Sequence, residues 1–307
     1  MNIIHMKYAV EVARLGSINK ASESLNMAQP NISRAIKDLE ADVGITIFDR
    51  SAKGMNLTPE GTDFIARAQS ILSQITDLEH IYRAGTPNKQ KFSISAPRAG
   101  YIAEAFAEFS KCIDAQKAEI VLDETGTYNT LKKIITSECK LGIIRYESAA
   151  DSYFKETLEK NGLDYKMISD FQYTVIASKN GPLAEKESVS RDELKTLVQV
   201  THNSPYEAHL TASDAPPKEE TRKCADKIVF VLDTAAQLEL LAENVNSFMW
   251  VSPAPQTLLD RFGLVQLRNA DKAKTYMDVL IYRKNYKFSE LDKRFIEALE
   301  TAKSALK

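Results

Sequence analysis

Near the amino terminus, polar side chains recur at the spacing of one helix face. Gln29, Ser33 and Lys37 follow one another at steps of four residues, and Arg34 lies beside them. The opposite side of the segment is an apolar stripe, formed by Ile32, Ile36, Leu39 and Val43. Amide, hydroxyl and cationic groups on an exposed helix can hydrogen-bond to base edges and phosphates. The spacing therefore predicts a surface that reads nucleic acid, although an ordinary solvated helix face has the same pattern.

A second set of polar residues follows strand-like runs in the remainder of the chain. In open α/β sheets, such turns gather beyond the carboxyl ends of the strands, beside unpaired helix N–H groups. Hydroxyls and a guanidinium in that position suit a small anion such as a carboxylate. The alternative is that Arg98 is a surface residue and that Thr125 and Thr127 only cap a helix. The predicted effector-binding residues are Ser95, Pro97, Arg98, Tyr101, Thr125, Thr127, Thr201 and His202.

Patterns of catalysis and metal binding are missing from the sequence. It contains no G-x-S-x-G, G-x-x-x-x-G-K-[ST], G-x-G-x-x-G or H-E-x-x-H motif. The four histidines lack metal-ligand spacing, and the three cysteines form neither a C-x-x-C pair nor a disulfide framework. We therefore expect no enzyme activity, no metal and no cofactor.

The composition is that of an ordinary globular protein. The 307 residues are 44% hydrophobic and 27% charged, and the net charge of −2 does not favour a nucleic-acid partner by itself. No apolar run has the length of a membrane-spanning helix. The first residues lack the features of a secretory signal. We expect a cytoplasmic protein with no membrane partner.

The reading face belongs to the third of three short predicted helices. The first helix ends at Gly16, Ser17 caps the second, and Asn26 makes the turn to the third. This order is a helix-turn-helix, whose last helix enters the major groove. Residues 43–57 then contain two β-compatible runs around a basic loop, which predicts a hairpin wing against the DNA backbone. The predicted DNA-binding residues are Ser17, Gln29, Pro30, Asn31, Ser33, Arg34, Lys37, Arg50 and Lys53.

The next segment predicts one long helix from Pro59 to about Arg83, with Thr58 as its cap. Its apolar residues alternate at steps of four and three, which is typical of a coiled-coil seam. A seam that pairs with a second chain predicts a homodimer and a partly palindromic site in double-stranded DNA. A short stripe of this kind can instead pack on its own domain. The predicted dimerisation residues are Phe64, Ala68, Ile71, Ile75, Leu78 and Tyr82.

Gly, Pro and polar residues at 85–91 indicate a hinge, after which strand-like and helix-like runs alternate. The alternation predicts a parallel or mixed sheet with helices on both faces. We therefore divide the chain into a winged helix-turn-helix domain (1–58), a linker helix with hinge (59–90) and an effector-binding domain (91–307). Predicted strands lie at 92–96, 119–123, 141–145, 173–178, 197–201, 227–231, 248–252, 264–267 and 277–282, with helices at 101–112, 128–138, 191–195, 234–243, 255–262 and 289–304.

The amino-terminal segments together resemble the DNA-binding domain of LysR-type transcriptional regulators. The resemblance is carried by GSI at 16–18, ASESL at 21–25, AQPNIS at 28–33, FDR at 48–50 and LTPEG at 57–61. It implies DNA-facing positions for Gln29, Pro30, Ser33, Arg34 and Arg50. It also implies dimers that pair into tetramers, and it leaves open RNA polymerase as a partner and either direction of control. Pro59 departs from the family's usual residue.

The remainder resembles, more weakly, the periplasmic-binding-protein-like effector domain of the same family. In that fold the chain builds one lobe, crosses to a second and returns, which predicts lobe I at 91–163 and 265–307 and lobe II at 164–264. The ENVNS stretch at 243–247 replaces the family's Gly-rich turn. The implied fold class is α/β multidomain, and the implied function is a sequence-specific regulator controlled by a small metabolite, by hypothesis anionic, between the lobes. A solute-binding transport protein or an architectural DNA binder would leave the helix-turn-helix or the large domain without a role.

Overall fold

A computed structural model describes residues 1–51, 54–82, 90–113, 118–202 and 224–306. The chain forms two compact units, residues 1–88 with 132–140 and residues 89–131 with 141–307. Within the described ranges, no helix is both long and apolar enough to span a membrane. Lys53, which we predicted to face DNA, lies outside the described residues, as do the side chains of Arg50 and Tyr82.

Three helices and a hairpin form the amino-terminal fold. The turn to the third helix passes through Asn26, whose φ of 51° is left-handed, and Gly44 ends that helix at φ 73°. The hairpin is antiparallel and lies against the end of the first helix, where the Met55 amide donates to the Gly16 carbonyl at 3.0 Å. The elements are α1 (Ile3–Leu15), α2 (Ile18–Ser24), α3 (Gln29–Val43), β1 (Phe48–Ser51) and β2 (Gly54–Leu57).

The linker helix α4 (Pro59–Tyr82) begins inside this first unit. Thr58 caps it by accepting a hydrogen bond from the Gly61 amide at 2.8 Å. Ala68 is buried in the unit's own core and Phe64 packs against that core. The predicted dimer seam is therefore wrong for Ala68, because an apolar step of four residues fits a domain core as well as a partner helix.

Further along α4 the apolar residues turn outward. Ile71 is 40% exposed and Leu78 is 56% exposed, and Ile75 between them is half-buried. An exposed row of this kind on one helix is a surface that a partner can cover.

Lobe I of the second unit is built on a five-stranded mixed sheet in the order β4-β3-β5-β13-β6. Helices α5 and α11 pack on it over an aromatic cluster in which the Phe92 ring lies 4.6 Å from Phe109 and 5.1 Å from Phe295. Strands β3, β4 and β5 are parallel, so the turns after β3 and β4 leave the same edge. The elements are β3 (Gln90–Ala96), α5 (Gly100–Lys111), β4 (Ala118–Glu124), α6 (Thr127–Ile135), β5 (Leu141–Glu147), α7 (Asp151–Lys160), β6 (Leu163–Gln172), β13 (Thr275–Arg283) and α11 (Glu290–Ser304).

Lobe II is built on a six-stranded mixed sheet in the order β10-β9-β11-β7-β12-β8. Its core is formed by Val175, Ala177 and Phe248 on one side and by Ile176, Leu241 and Leu259 on the other. The elements are β7 (Thr174–Ser178), β8 (Ser188–Val189), α8 (Arg191–Leu194), β9 (Val198–Thr201), β10 (Lys227–Phe230), α9 (Thr234–Glu243), β11 (Ser247–Val251), α10 (Gln256–Phe262) and β12 (Leu264–Asn269).

The crossings between the lobes lie later in the chain than we predicted. Strand β6 pairs along the whole of β13 and so belongs to lobe I, and β12 pairs with β7 and so belongs to lobe II. The chain therefore crosses at about residue 173 and returns between residues 269 and 275, not at 163 and 264. Strand β6 and helix α7 had not been predicted at all.

Candidate DNA-reading surface and effector site

The predicted reading face of α3 points away from the core of its domain. Ile32, Ile36 and Leu39 are at most 1% exposed, and they anchor the helix on α1 and α4 residues of the same cluster. On the other side Ser33 is half-buried, and the rest of the set is exposed: Gln29, Pro30, Asn31, Arg34 and Lys37. The helix thus presents its first two turns outward, as a major-groove helix must.

Two contacts set the orientation of α3 and of the hairpin. The Glu40 carboxylate accepts hydrogen bonds from the backbone amides of Ile47 at 2.7 Å and Phe48 at 3.1 Å. Ser17 caps α2 by accepting from the Lys20 amide at 3.4 Å, so its hydroxyl has a structural partner. The reading helix and the wing are therefore joined by charge-assisted hydrogen bonds.

In lobe I, the hydroxyls of three predicted ligand contacts, Ser95, Tyr101 and Thr127, are occupied by hydrogen bonds within the fold. Ser95 is fully buried, where its hydroxyl donates to Asp123 at 2.9 Å and lies 3.1 Å from the Thr130 hydroxyl. Tyr101 is 1% exposed and donates its hydroxyl to Asp278 at 2.7 Å. Burial, and then the Asp278 charge, raise the pKa of Tyr101, so the phenol keeps its proton. Ser95, Tyr101 and Thr127 are therefore structural, which corrects their assignment as ligand contacts.

A buried ion pair lies below the turns that follow β3 and β4. Arg145 on β5 forks onto Asp278 on β13, with Nε to Oδ1 and Nη2 to Oδ2 both at 2.7 Å. The two side chains are 3% and 0% exposed. Burial lowers the pKa of Arg145, but the charge and hydrogen bonds of Asp278 raise it more, so the guanidinium stays charged. The sequence alone did not decide where Arg145 points, because its partner is distant in the chain.

The same arginine holds both turns. Its Nη1 donates to the carbonyl of Arg98 at 3.2 Å. The Thr127 hydroxyl donates to the Arg145 carbonyl at 2.6 Å and accepts from the Arg145 amide at 3.0 Å. The turns at 97–100 and 125–127 are thereby fixed to one strand, and Thr127 acts as an anchor between α6 and β5.

Arg98 itself is the cation that remains for a ligand. Its Nε lies 3.7 Å from Glu124 Oε2, and its buried Nη1 has no hydrogen-bond partner among the described residues. Buried polar atoms are nearly always paired in folded proteins. We did not include Glu124 among the predicted site residues. Glu124 ends β4, and β3, its parallel neighbour, ends two residues before Arg98.

The remaining predicted ligand-binding residues differ in their burial and in their contacts. His202, which follows β9 in lobe II, is half-buried, and burial, then the charges of Arg98 and Arg145, lower its pKa to about 4. Thr125 is half-buried and accepts from the Asn129 amide group at 3.2 Å, whereas Pro97 and Thr201 are buried. Arg98 is thus close enough to His202 for its charge to act on the imidazole, and the Thr125 amide donates to the Ala96 carbonyl at 2.9 Å, which joins the turn after β4 to the end of β3. No group of three His, Cys, Asp or Glu side chains in the described ranges could hold a metal ion.

Comparison with known proteins identifies the amino-terminal domain and the fold. Residues 3–62 match the family model described as bacterial regulatory helix-turn-helix protein, lysR family. The chain is 47% identical over 78 residues to the uncharacterized HTH-type transcriptional regulator YcgK of Bacillus subtilis, which spans 25% of this chain but only 24% of YcgK. It is 26% identical over 216 residues to YvbU of the same organism, 68% of each chain.

Among solved structures, full-length CbnR in complex with its target DNA matches over 98% of this chain and 100% of that one, with a TM-score of 0.55 and 16% identity. At that identity the likeness concerns the fold alone. It agrees with the predicted architecture of a helix-turn-helix domain, a linker helix and a two-sheet α/β domain, which is confirmed.

Proposed function

Because this chain belongs to the LysR-type family of DNA-binding transcriptional regulators, we propose that it reads a partly palindromic DNA site as a homodimer under the control of a small carboxylate-bearing metabolite. The metabolite binds between the lobes of the second unit, and pairing of dimers into a tetramer follows the family resemblance. The observation that carries the ligand part is Arg98, whose buried Nη1 has no partner among the described residues.

Of the cationic groups near these turns, Arg98 is the one that can meet a ligand carboxylate. Arg145 is already neutralised by Asp278, and His202 is uncharged at neutral pH because its pKa is about 4. Arg98 is therefore the cation that a ligand meets, and a planar guanidinium recognises carboxylates through parallel hydrogen bonds. Thr125, in the turn after β4, adds a hydroxyl to the proposed site.

The dimer part of the proposal is supported by the exposed end of α4. Ile71 and Leu78 are exposed, and they lie on one side of the helix with Ile75. Seam positions of a coiled coil have this spacing, and a partner helix would remove them from water. Two copies joined there would present two α3 helices to two half-sites.

The DNA-binding proposal is tested by selecting genomic fragments with the purified chain at near-physiological salt, since phosphate contacts make affinity salt-dependent. We expect a few sites with interrupted dyad symmetry. Gln29→Ala and Arg34→Ala should each weaken binding to them by about 1–3 kcal/mol, and Lys37→Ala should lower the salt slope by about one. Asp38→Asn, exposed on the same helix but outside the predicted set, is the matched control. Equal loss in the control, or recovery of unrelated fragments, contradicts the proposal.

The dimer is tested by sedimentation equilibrium on Leu78→Glu, which places a charge in the proposed seam. We expect a shift toward monomer of at least tenfold in dissociation constant. Thr76→Glu, which is exposed on α4 away from the seam, should leave the equilibrium unchanged. A dimer that tolerates Leu78→Glu as well as Thr76→Glu does not use this surface.

A further inference from the structure

Arg98 and Glu124 form a loose ion pair within lobe I. Arg98 Nε and Glu124 Oε2 are 3.7 Å apart, whereas a charge-assisted hydrogen bond between such groups measures about 2.7–2.9 Å. The side chains are 31% and 33% exposed, so both remain accessible to a ligand in solution. Among the described residues, the other polar group in reach of the Glu124 carboxylate is the Thr234 hydroxyl, at 3.4 Å.

The other polar groups of these strands already have partners within lobe I. Asp278 neutralises Arg145, and the Asp123 carboxylate accepts the Ser95 hydroxyl at 2.9 Å. A ligand therefore meets one cation and one anion side by side. A plain carboxylate on Arg98 would lie within a few ångströms of Glu124, and like charges at that distance weaken binding about tenfold or more at protein surfaces.

The turn beside the pair is open at Gly126. Gly126 follows Glu124 by two residues, and among the described residues no atom lies within 4 Å of the position that a Cβ on Gly126 would take. The turn there leads into α6, which begins at Thr127. A ligand group placed over Gly126 would therefore meet no described atom at that point of the turn.

We propose that the metabolite is a zwitterion that carries its carboxylate and its ammonium on one carbon, as α-amino acids do. The carboxylate binds the exposed part of the Arg98 guanidinium, and the ammonium donates to Glu124. Each charge of the ligand then meets its opposite, and the repulsion that a plain carboxylate would suffer becomes an attraction. This inference rests on the proposed function, because it names the chemical class of the ligand at the same site.

The arrangement also links the ligand to the contact between the lobes. Thr234 is the first residue of α9 in lobe II, and its hydroxyl donates to the Glu124 oxygen nearest Arg98. An ammonium that donates to this carboxylate competes with Thr234 for the acceptor. Ligands with and without the ammonium therefore differ in their effect on an inter-lobe hydrogen bond as well as in affinity.

The test uses the full-length protein and matched probes that differ only in the α-ammonium. The twenty common amino acids and their desamino acids, for example L-phenylalanine and 3-phenylpropanoate, are compared by thermal shift and then by calorimetry at constant salt. We expect that in at least one pair the amino acid binds at least tenfold more tightly than its desamino partner. Glu124→Gln should remove that preference by weakening the amino acid about tenfold and leaving the desamino acid equal or tighter.

Glu104→Gln is the matched control. Glu104 is also a lobe I carboxylate that accepts a hydroxyl from lobe II, from Thr257 at 2.8 Å. It should leave the ratio within each pair unchanged. A desamino acid that binds as tightly as its amino acid in every pair, or a Glu124→Gln variant that weakens both equally, overturns the zwitterion. If desamino acids alone bind and lose affinity in Arg98→Ala, the proposed carboxylate site stands and only this inference fails. Binding by none of the probes contradicts both.

Discussion

The ion pair between Arg145 and Asp278 gives a sharp prediction about stability. Asp278→Asn keeps the size of the side chain, so it opens no cavity, but it removes the charge that compensates the Arg145 guanidinium. Both side chains are almost fully buried and joined by two hydrogen bonds of 2.7 Å. The variant therefore leaves a buried cation without a counter-charge.

Breaking one side of a buried pair costs about 3–5 kcal/mol, because the remaining charge has lost its water and its partner. Replacing the whole group by apolar residues costs much less, since no charge is left behind. Tyr101 must be included, because its hydroxyl also donates to Asp278. We expect Asp278→Asn to lose about 3–5 kcal/mol in the free energy of unfolding, and the triple variant Arg145→Met, Asp278→Leu, Tyr101→Phe to lose about 2 kcal/mol or less.

Urea unfolding measures both values. Far-UV circular dichroism follows the whole chain, and the fluorescence of Trp250, the single tryptophan, follows lobe II. A loss below about 1 kcal/mol in Asp278→Asn would refute the reasoning, because water would then reach the guanidinium. A triple variant less stable than Asp278→Asn would also refute it, since packing and not charge would then dominate.

Two further predictions concern pH and packing. The pKa of His202 falls from 6.5 to about 4 on folding, so between pH 6.5 and 4 the unfolded chain binds more protons than the folded one. Acidification from pH 7 should therefore lower the unfolding free energy of wild type by up to about 3 kcal/mol more than that of His202→Gln. Equal dependence of the unfolding free energy on pH in the two proteins would contradict this. A Cβ on Gly61 would lie 2.1 Å from the Ile47 carbonyl oxygen, so Gly61→Ala should lose about 1–3 kcal/mol by thermal unfolding. Gly126→Ala, whose Cβ meets no described atom within 4 Å, should stay within about 0.5 kcal/mol of wild type. If Gly61→Ala and Gly126→Ala lost similar amounts of stability, the contact at Gly61 would have relaxed.

The elements of the amino-terminal domain could be predicted because their sequence patterns act over a few residues. The helix α3 has an apolar stripe at steps of three and four, a proline in its first turn and Gly44 at its end, and each of these acts within a few residues. The same steps in α4 could not separate a domain core from a partner surface. Ala68 is buried in the core of its own domain and Leu78 is exposed, although their spacing would place both in one seam.

Strand β6 and helix α7 escaped prediction because their apolar patterns are weak. Strand β6 is an edge strand with a bulge opposite Asp278 and Val279, which breaks the alternation of buried and exposed residues. Helix α7 buries only Phe154 and Leu158. Missing β6 shifted the first predicted lobe boundary toward the amino terminus, and the second was misplaced because β12, which pairs with β7, had been assigned to lobe I.

The proximity of the turns after β3 and β4 was predictable from the sequence, but the charge pairs around them were not. Parallel strands bring the turns after β3 and β4 together, so Arg98 and Thr125 could be grouped from the sequence. The partner of Arg145 lies 133 residues away, and nothing local indicates that pairing. Ser95 and Tyr101 have the residue types of a ligand site, and only tertiary contacts show that their hydroxyls serve the fold.

The pairing of β6 with β13 makes lobe II an insertion in a hairpin. The two strands are antiparallel neighbours, and Gln172, where the chain leaves lobe I, is the direct partner of Thr275, where it returns. A two-residue Asn-Gly turn is the standard connection between such partners. Joining Gln172 to Thr275 by that turn would therefore remove residues 173–274 and keep all five strands of the lobe I sheet. The same two positions form a graft point, at which the second lobe of one regulator can be exchanged for that of another while the hairpin stays in register.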